Sequence, residues 1–354
     1  MNVETFDPKE ETPEAYEKAA ARASTEPSAS TDKKVGGKPP DVIWENVFAD
    51  AVMDGTSFTR QNVPERAALL GSFLRAGDFG VVFAPRGVGK TWISLLMAGA
   101  IANGSALGEW GAGTAGAMGV CYVDGEVNLP DAIERALLVN LPAGVHWLHH
   151  ENVADASGRG INLVDPAQQE GLLKTILKMK IQVLFLDNLS CLFRGMAENE
   201  ADAWELVLAW LLELRRNQIT VILVAHAGRN GEIRGTSRRE DMAHWILKLE
   251  DAGDSESDGA EFKSRFTKNR NARQAAASCP PLHWKLTTVD KRLVIECTRH
   301  SDVDALVDLV RGGINRASDL AEELNVSKGT ISKWARKAQA RGLIRIESRT
   351  YKPV

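Results

Sequence analysis

One short segment has the residue types and spacing needed to hold the phosphates of a nucleotide. The segment is Ala84-Pro85-Arg86-Gly87-Val88-Gly89-Lys90-Thr91. It follows the P-loop pattern, with alanine in place of the first glycine. Gly87 and Gly89 let the backbone turn so that its N–H groups point at phosphate oxygens. Because Lys90 can reach the β- and γ-phosphates and the Thr91 hydroxyl can bind Mg²⁺, the segment predicts binding of ATP with magnesium.

Two acidic residues follow apolar runs and could serve the same site. Asp187 directly follows residues 183–186, where a carboxylate at the end of a buried strand can hold Mg²⁺. Glu126 follows the apolar run 119–123 after one short turn. If that strand lies beside the P-loop strand, Glu126 faces the γ-phosphate and can activate the attacking water. The alternatives are an ordinary turn aspartate and a surface glutamate.

The pattern of the chain around these residues predicts alternating strands and helices. Runs that are apolar on both faces are typical of buried parallel strands; they occupy residues 80–83, 119–123, 183–186 and 220–224. Residues 201–216 between two of these runs have the helical period. This alternation predicts an α/β fold with a mostly parallel central sheet covered on both sides. Three later runs are expected as antiparallel additions; they are residues 245–250, 262–270 and 293–297.

Composition divides the chain into three parts. Residues 1–40 are dominated by charged and small residues and proline, so they predict a disordered tail. Residues 41–300 hold the strand and helix pattern and are expected to form the nucleotide-binding domain. Residues 301–354 predict three helices and two strands, with Ser318 and Ser327 as helix N-caps. This order is typical of a winged helix-turn-helix domain.

The last helix of that domain and the two strands that follow it carry a concentration of positive charge. Residues 327–354 contain eight lysines and arginines against one glutamate, in a chain of net charge −4. Such a basic face predicts phosphate contacts with nucleic acid. The residues expected to contact DNA are Lys328, Thr330, Lys333, Arg336 and Lys337. The residues expected to pack inward are Ile331, Trp334, Ala335 and Ala338. A protein-interaction module with a solvated basic face is the alternative.

Composition also excludes several classes of protein. The chain has 354 residues, 44% of them hydrophobic and 25% charged, as in ordinary globular proteins. Its four cysteines form no C-x-x-C pair, so we expect neither a disulfide scaffold nor a zinc site. No apolar stretch is long enough to span a membrane, and the first residues lack the apolar core of a secretory signal. These features predict a cytoplasmic protein without membrane contacts.

Taken together, four segments resemble the RecA-like ATPases of the RepA-type hexameric helicases of plasmids and phages. The segments are residues 83–91, 122–126, 184–190 and 221–249. The resemblance covers residues 41–298, and DnaB-type helicases are more distantly similar. It implies a RecA-like core in which Glu126 is the catalytic base and His226 lies near the γ-phosphate. The family often has two adjacent histidines where this chain has Ala225-His226.

Two further elements resemble parts of that family. Residues 233–237, which include Arg234, resemble an Arg-Gly-Ser-Ser element, and Lys268-Asn269-Arg270 resembles a Lys-x-Arg element. The resemblance implies that the Lys-x-Arg element, with Lys268 and Arg270, reaches the nucleotide of a neighbour in a hexameric ring. Arg234 also follows a late strand, as a cation at an interface would, so it is a second candidate for this role. The alternative for each is a solvated surface cation. It also implies action on DNA with other replication proteins, in the replication or maintenance of a plasmid, phage or integrated element. The alternatives are a DNA-binding regulator switched by ATP and a recombination mediator that does not translocate.

Overall fold

The computed structural model describes residues 43–195, 201–228, 238–252, 259–271, 279–324, 326–347 and 350–354. The predicted tail, residues 1–40, therefore lies outside the described residues. The described residues up to Val63 and those from Pro64 onward belong to two compact units. In the first unit, helices α1 (Trp44–Ala51) and α2 (Gly55–Thr59) are exposed along their whole length.

The second unit contains the remaining elements. Its strands are β1 (Ala68–Leu70), β2 (Leu74–Arg75), β3 (Phe79–Ala84), β4 (Val120–Asp124), β5 (Val145–His149), β6 (Val183–Asp187), β7 (Thr220–His226), β8 (Trp245–Asp251), β9 (Ala260–Asn269), β10 (Leu282–Val289), β11 (Arg292–Arg299), β12 (Ile344–Glu347) and β13 (Thr350–Pro353). Its helices are α3 (Lys90–Asn103), α4 (Leu129–Leu138), α5 (His150–Ser157), α6 (Pro166–Lys178), α7 (Leu189–Leu192), α8 (Ala201–Arg216), α9 (Arg238–Met242), α10 (Asp302–Arg311), α11 (Ala317–Glu323) and α12 (Lys328–Ala340).

A nine-stranded sheet organises the second unit, in the order β11-β10-β9-β8-β3-β7-β6-β4-β5. Strands β8, β3, β7, β6, β4 and β5 run parallel, and β9, β10 and β11 extend the sheet in antiparallel fashion. The predicted α/β fold with a mostly parallel sheet is confirmed. The prediction that residues 245–250 add to the sheet in antiparallel fashion was wrong for one neighbour, because β8 pairs parallel with β3 and antiparallel only with β9.

Helices cover both faces of this sheet. Successive side chains of β3 alternate between the faces: Val82 and Ala84 join one apolar cluster, whereas Val81 and Phe83 join the other. The first cluster includes the buried apolar residues of α3, and the second includes those of α6 and α8. Because the parallel strands end at one edge, residues that directly follow β3, β4, β6 and β7 are brought together there.

The C-terminal residues build a small apolar cluster of their own. Ile331, Ala335 and Ala338 of α12 are buried in it as predicted, and Trp334 packs against it partly exposed. The predicted cap of α12 is present, because the Ser327 side chain accepts a hydrogen bond from Thr330 N. Ser318 does not cap α11, which begins one residue earlier. The extended residue before that helix is Arg316, held by a β-bridge to Thr350.

No helix in the described part of the chain is both long and apolar enough to cross a membrane.

Candidate nucleotide-binding site

The P-loop connects the end of β3 to the first turn of α3. Gly87 and Gly89 have φ angles of 81° and 113°, in the left-handed region that other residues rarely adopt. A Cβ atom on Gly89 would also approach the Phe262 ring to 2.7 Å. The loop therefore depends on glycine at position 89 for two reasons, and it ends where the N–H groups of a helix N-terminus favour an anion.

Lys90 lies folded against this loop. Its side chain is almost buried, and Nζ donates to the carbonyl oxygens of Ala84 at 3.2 Å and Pro85 at 2.8 Å. Burial lowers the pKa of Lys90, while the nearby carboxylates of Glu126 and Asp187 oppose that shift. The ammonium group is thus held at the loop by two carbonyl oxygens. Phosphate oxygens could replace both of them as hydrogen-bond acceptors.

Asp187 at the end of β6 is the second predicted site residue, and it is 1% exposed. The Tyr122 hydroxyl donates to its Oδ2 at 2.6 Å. Its Oδ1 is buried and makes no hydrogen bond of normal length within the described residues. Burial raises the pKa of Asp187 to about 6, although the Tyr122 and Thr91 hydroxyls act in the opposite direction.

A buried carboxylate oxygen without a partner, close to a threonine hydroxyl, fits a hard divalent cation. Thr91 and Asp187 would therefore hold the magnesium ion that accompanies the nucleotide. When bound, that ion would neutralise charge on the phosphate oxygens.

Glu126 reaches the cleft by a different route from the one expected. Strand β4 does not lie beside the P-loop strand, because β7 and β6 separate it from β3. Glu126 nevertheless lines the same cleft as Lys90 and His226, since β4 ends at the same edge of the sheet. The Asp124 carboxylate folds the turn between strand and glutamate by accepting from Glu126 N at 3.1 Å and Val127 N at 3.2 Å.

His226, the last residue of β7, faces Glu126 across the cleft. Its Nε2 lies 3.7 Å from Glu126 Oε1, which is too long for a hydrogen bond but close enough for an electrostatic effect. His226, followed by Lys90, holds the pKa of Glu126 below its usual range despite partial burial. The carboxylate is therefore ionised at neutral pH, as a general base must be.

Three polar residues of this site were not predicted from the sequence. Asn188 is fully buried, and its Nδ2 donates to Glu126 Oε2 and lies 3.2 Å from His226 Nε2. Tyr122 holds Asp187, and Asp124 shapes the turn before Glu126. Of the three, only Asp124 could have been predicted from the sequence, because an acidic residue at the end of an apolar strand is expected to hydrogen-bond to the following turn.

Of the three cations predicted to act between subunits, the two that the structure describes do not join this cleft. Arg234 lies outside the described residues. Lys268 Nζ donates to the backbone carbonyls of Glu240 and Asp241, and Arg270 donates to the latter at 3.0 Å. Because β9 runs antiparallel to β8, both residues lie at the amino-terminal edge of the parallel strands, opposite the P-loop edge.

The predicted DNA-contacting residues all belong to α12. Lys328, Lys333, Arg336 and Lys337 are exposed. Thr330 is half-buried, and its hydroxyl lies 2.9 Å from the Ser327 hydroxyl at the helix N-cap. Its side chain is therefore engaged in capping rather than freely available.

Strand β7 is inserted between the P-loop strand and the strand that ends in Asp187, and the cleft lies at their common edge. This arrangement defines a P-loop ATPase with a RecA-like core. Residues 49–232 match the AAA_25 family, described as an AAA domain. Since this match covers slightly more than half of the chain, the chain belongs to that family.

Two of the solved structures that are similar to this chain come from archaea. Flagellar accessory protein FlaH from Methanocaldococcus jannaschii is 10% identical, with a TM-score of 0.42 over 62% of this chain and 90% of that chain. KaiC-like protein PH0186 from Pyrococcus horikoshii OT3 is 14% identical, with a TM-score of 0.44 over 63% of this chain and 90% of that chain. No curated protein sequence matches the chain.

Proposed function

We propose that this protein is a magnesium-dependent ATPase that acts on DNA as an oligomer, in the manner of a RepA- or DnaB-like replicative helicase. In this proposal Lys90 and the P-loop bind ATP, Glu126 activates the attacking water, and His226 lies at the γ-phosphate. The setting, replication or maintenance of a plasmid, phage or integrated element, rests on the sequence resemblance alone.

The observation that carries the DNA-related part is the basic face of α12. Four exposed cations lie on this one helix, within the same compact unit as the nucleotide cleft. Its apolar side is anchored by Ile331, Ala335 and Ala338, so the charged side is presented on a fixed scaffold. A helix fixed in this way brings several cations to one surface, where they can contact successive phosphates, which supports a nucleic-acid partner.

A salt titration of DNA binding tests this role. Replacing Lys333, Arg336 and Lys337 together by alanine should weaken duplex binding and reduce the log–log salt slope by about 0.9 for each phosphate that is no longer neutralised. The matched control replaces Lys174, Lys178 and Arg216, which are exposed cations on α6 and α8. An unchanged slope in the α12 variant, or an equal loss of affinity in the control, would contradict specific DNA binding by α12.

Strand displacement on a forked duplex separates the proposed motor from its alternatives. A helicase should unwind the fork with ATP and fail to do so after Glu126→Gln. A protein that binds DNA only in its ATP form and displaces no strand would instead be a switch-like regulator. ATP hydrolysis that requires a protein partner would favour a recombination mediator.

A further inference from the structure

Asn188 lies between Glu126 and His226, the two residues that are proposed to face the γ-phosphate. It follows Asp187 directly and is fully buried. Its carboxamide Nδ2 donates to Glu126 Oε2 and lies 3.2 Å from His226 Nε2. The residue therefore joins the ends of three different strands: its own β6, then β4 through Glu126 and β7 through His226.

The orientation of this carboxamide is set from both ends. Its Oδ1 accepts a hydrogen bond from Cys191 N at 3.2 Å and caps the short helix α7. A flipped amide would direct its oxygen at the Glu126 carboxylate and its N–H groups at a backbone donor, so both contacts would become repulsive. The N–H side must consequently face Glu126.

The segment after Asn188 holds the same turn by packing. A Cβ atom added to Gly125 would meet the Leu192 side chain at 2.6 Å and Cys191 Cβ at 3.3 Å. The backbone N–H of Gly125 also donates to Asp187 O at 2.7 Å. The backbone immediately before Glu126 is thus fixed against β6 and α7. The Glu126 carboxylate is held separately, by Asn188.

We propose that Asn188 is a positioning residue for Glu126: by binding Oε2 it fixes the carboxylate, and it leaves Oε1 to accept a proton from the attacking water. This inference rests on the proposed role of Glu126 as the general base. Without the carboxamide, a side chain that is substantially exposed could rotate away from the nucleotide. A misplacement of about 1 Å at a reacting group can lower turnover by about 10²-fold.

Two substitutions separate this role from the capping of α7. Asn188→Asp keeps the size of the side chain and the acceptor for Cys191 N, but it replaces the donor with a second carboxylate facing Glu126. Asn188→Ser retains a good N-cap oxygen and is too short to reach Glu126. Asn162→Asp is the matched control, because Asn162 donates to Arg194 O and accepts from Val164 N outside the cleft.

The experiment measures nucleotide affinity and steady-state hydrolysis by the full chain with magnesium and ATP. Both Asn188 variants should bind nucleotide within about twofold of the parent, while kcat falls by about 10²-fold. Asn162→Asp should change neither quantity. A fall in affinity equal to the fall in kcat, or kcat within twofold of the parent for Asn188→Ser, would overturn the inference.

A double-variant cycle tests whether Asn188 acts through Glu126. Adding Asn188→Asp to Glu126→Gln should cause no further loss of turnover, since residues that act as a unit are not additive. Losses that multiply would mean that Asn188 acts independently, and the inference would fail. If Glu126→Gln alone retains full turnover, the proposed catalytic base fails and the inference falls with it. If Glu126→Gln is inactive but Asn188→Ser has normal turnover, the proposed catalytic base stands and only the inference about Asn188 fails.

Discussion

Replacing Asp187 by asparagine should stabilise the nucleotide-free protein, because the native carboxylate is buried at the expense of folding. Burial is the largest cause that raises the pKa of this group from 3.8 to about 6. The Tyr122 hydroxyl opposes the shift, and the neighbouring carboxylate of Asp124 adds to it. An asparagine oxygen can still accept the Tyr122 hydrogen bond, so the substitution removes the charge and keeps the contact.

The expected gain follows from the pKa difference between the folded and unfolded chain. Since the pKa of Asp187 is higher in the fold, its contribution to stability is complete below 3.8 and is lost as the pH rises through about 6. A shift of about two units corresponds to about 3 kcal/mol at pH 8 and about 1.5 kcal/mol at pH 5. Asparagine is uncharged throughout this range and escapes the loss.

Urea unfolding of the full chain without nucleotide or magnesium measures this difference. The free energy of unfolding of Asp187→Asn should exceed that of the parent by about 3 kcal/mol at pH 8 and by about half as much at pH 5. Asp155→Asn is the control, because Asp155 is exposed on α5 and its replacement should stay within about 0.5 kcal/mol. The same Asp187 variant should lose magnesium-dependent hydrolysis. Equal stability at pH 8, or a gain that does not grow with pH, would refute the reasoning.

Two further outcomes test the ATPase itself. Lys90→Ala should abolish nucleotide binding or hydrolysis and leave the circular dichroism spectrum unchanged; normal turnover would contradict the assignment of the phosphate site. Arg270→Ala and Glu126→Gln should each be nearly inactive alone but recover part of the activity when mixed, because some interfaces then pair an intact Glu126 with an intact Arg270. Absence of recovery, with specific activity independent of protein concentration, would mean that each chain hydrolyses ATP by itself.

The strands that carry the site were predictable because they are buried on both faces. Residues 80–83 and 183–186 are continuous apolar runs, and β3 and β6 extend them by one or two residues. Strand β5 (Val145–His149) escaped because its pattern is Val-His-Trp-Leu-His at a sheet edge, with partial exposure. The sequence of strand β8 is amphipathic, because Lys248 and Glu250 alternate with leucines. In the structure these two charged side chains form an ion pair at 2.9 Å.

The polar contacts within the site were not predictable from local sequence. Asn188 and Glu126 are 62 residues apart, and Asn188 and His226 are 38 residues apart. Their contact depends on the strand order, which places β6 next to both β4 and β7. The sequence contains no local signal for that order. The P-loop, by contrast, lies within one short segment, so its residue types alone predicted its chemistry.

Strand β9 contacts both the nucleotide loop and the C-terminal helices through two adjacent residues. Phe262 is fully buried against Gly89 of the P-loop. Lys263, whose side chain points to the other face of the strand, forms an ion pair with Asp308 of α10, which also lies 3.3 Å from His300. Burial alone would raise the pKa of Asp308, but His300 and Lys263 lower it to about 2. Because this contact is ionic at neutral pH and partly exposed, salt weakens it far more than the apolar contact at Gly89. Of the two contacts made by β9, the ion pair with the C-terminal helix α10 is therefore more sensitive to salt than the contact with the P-loop.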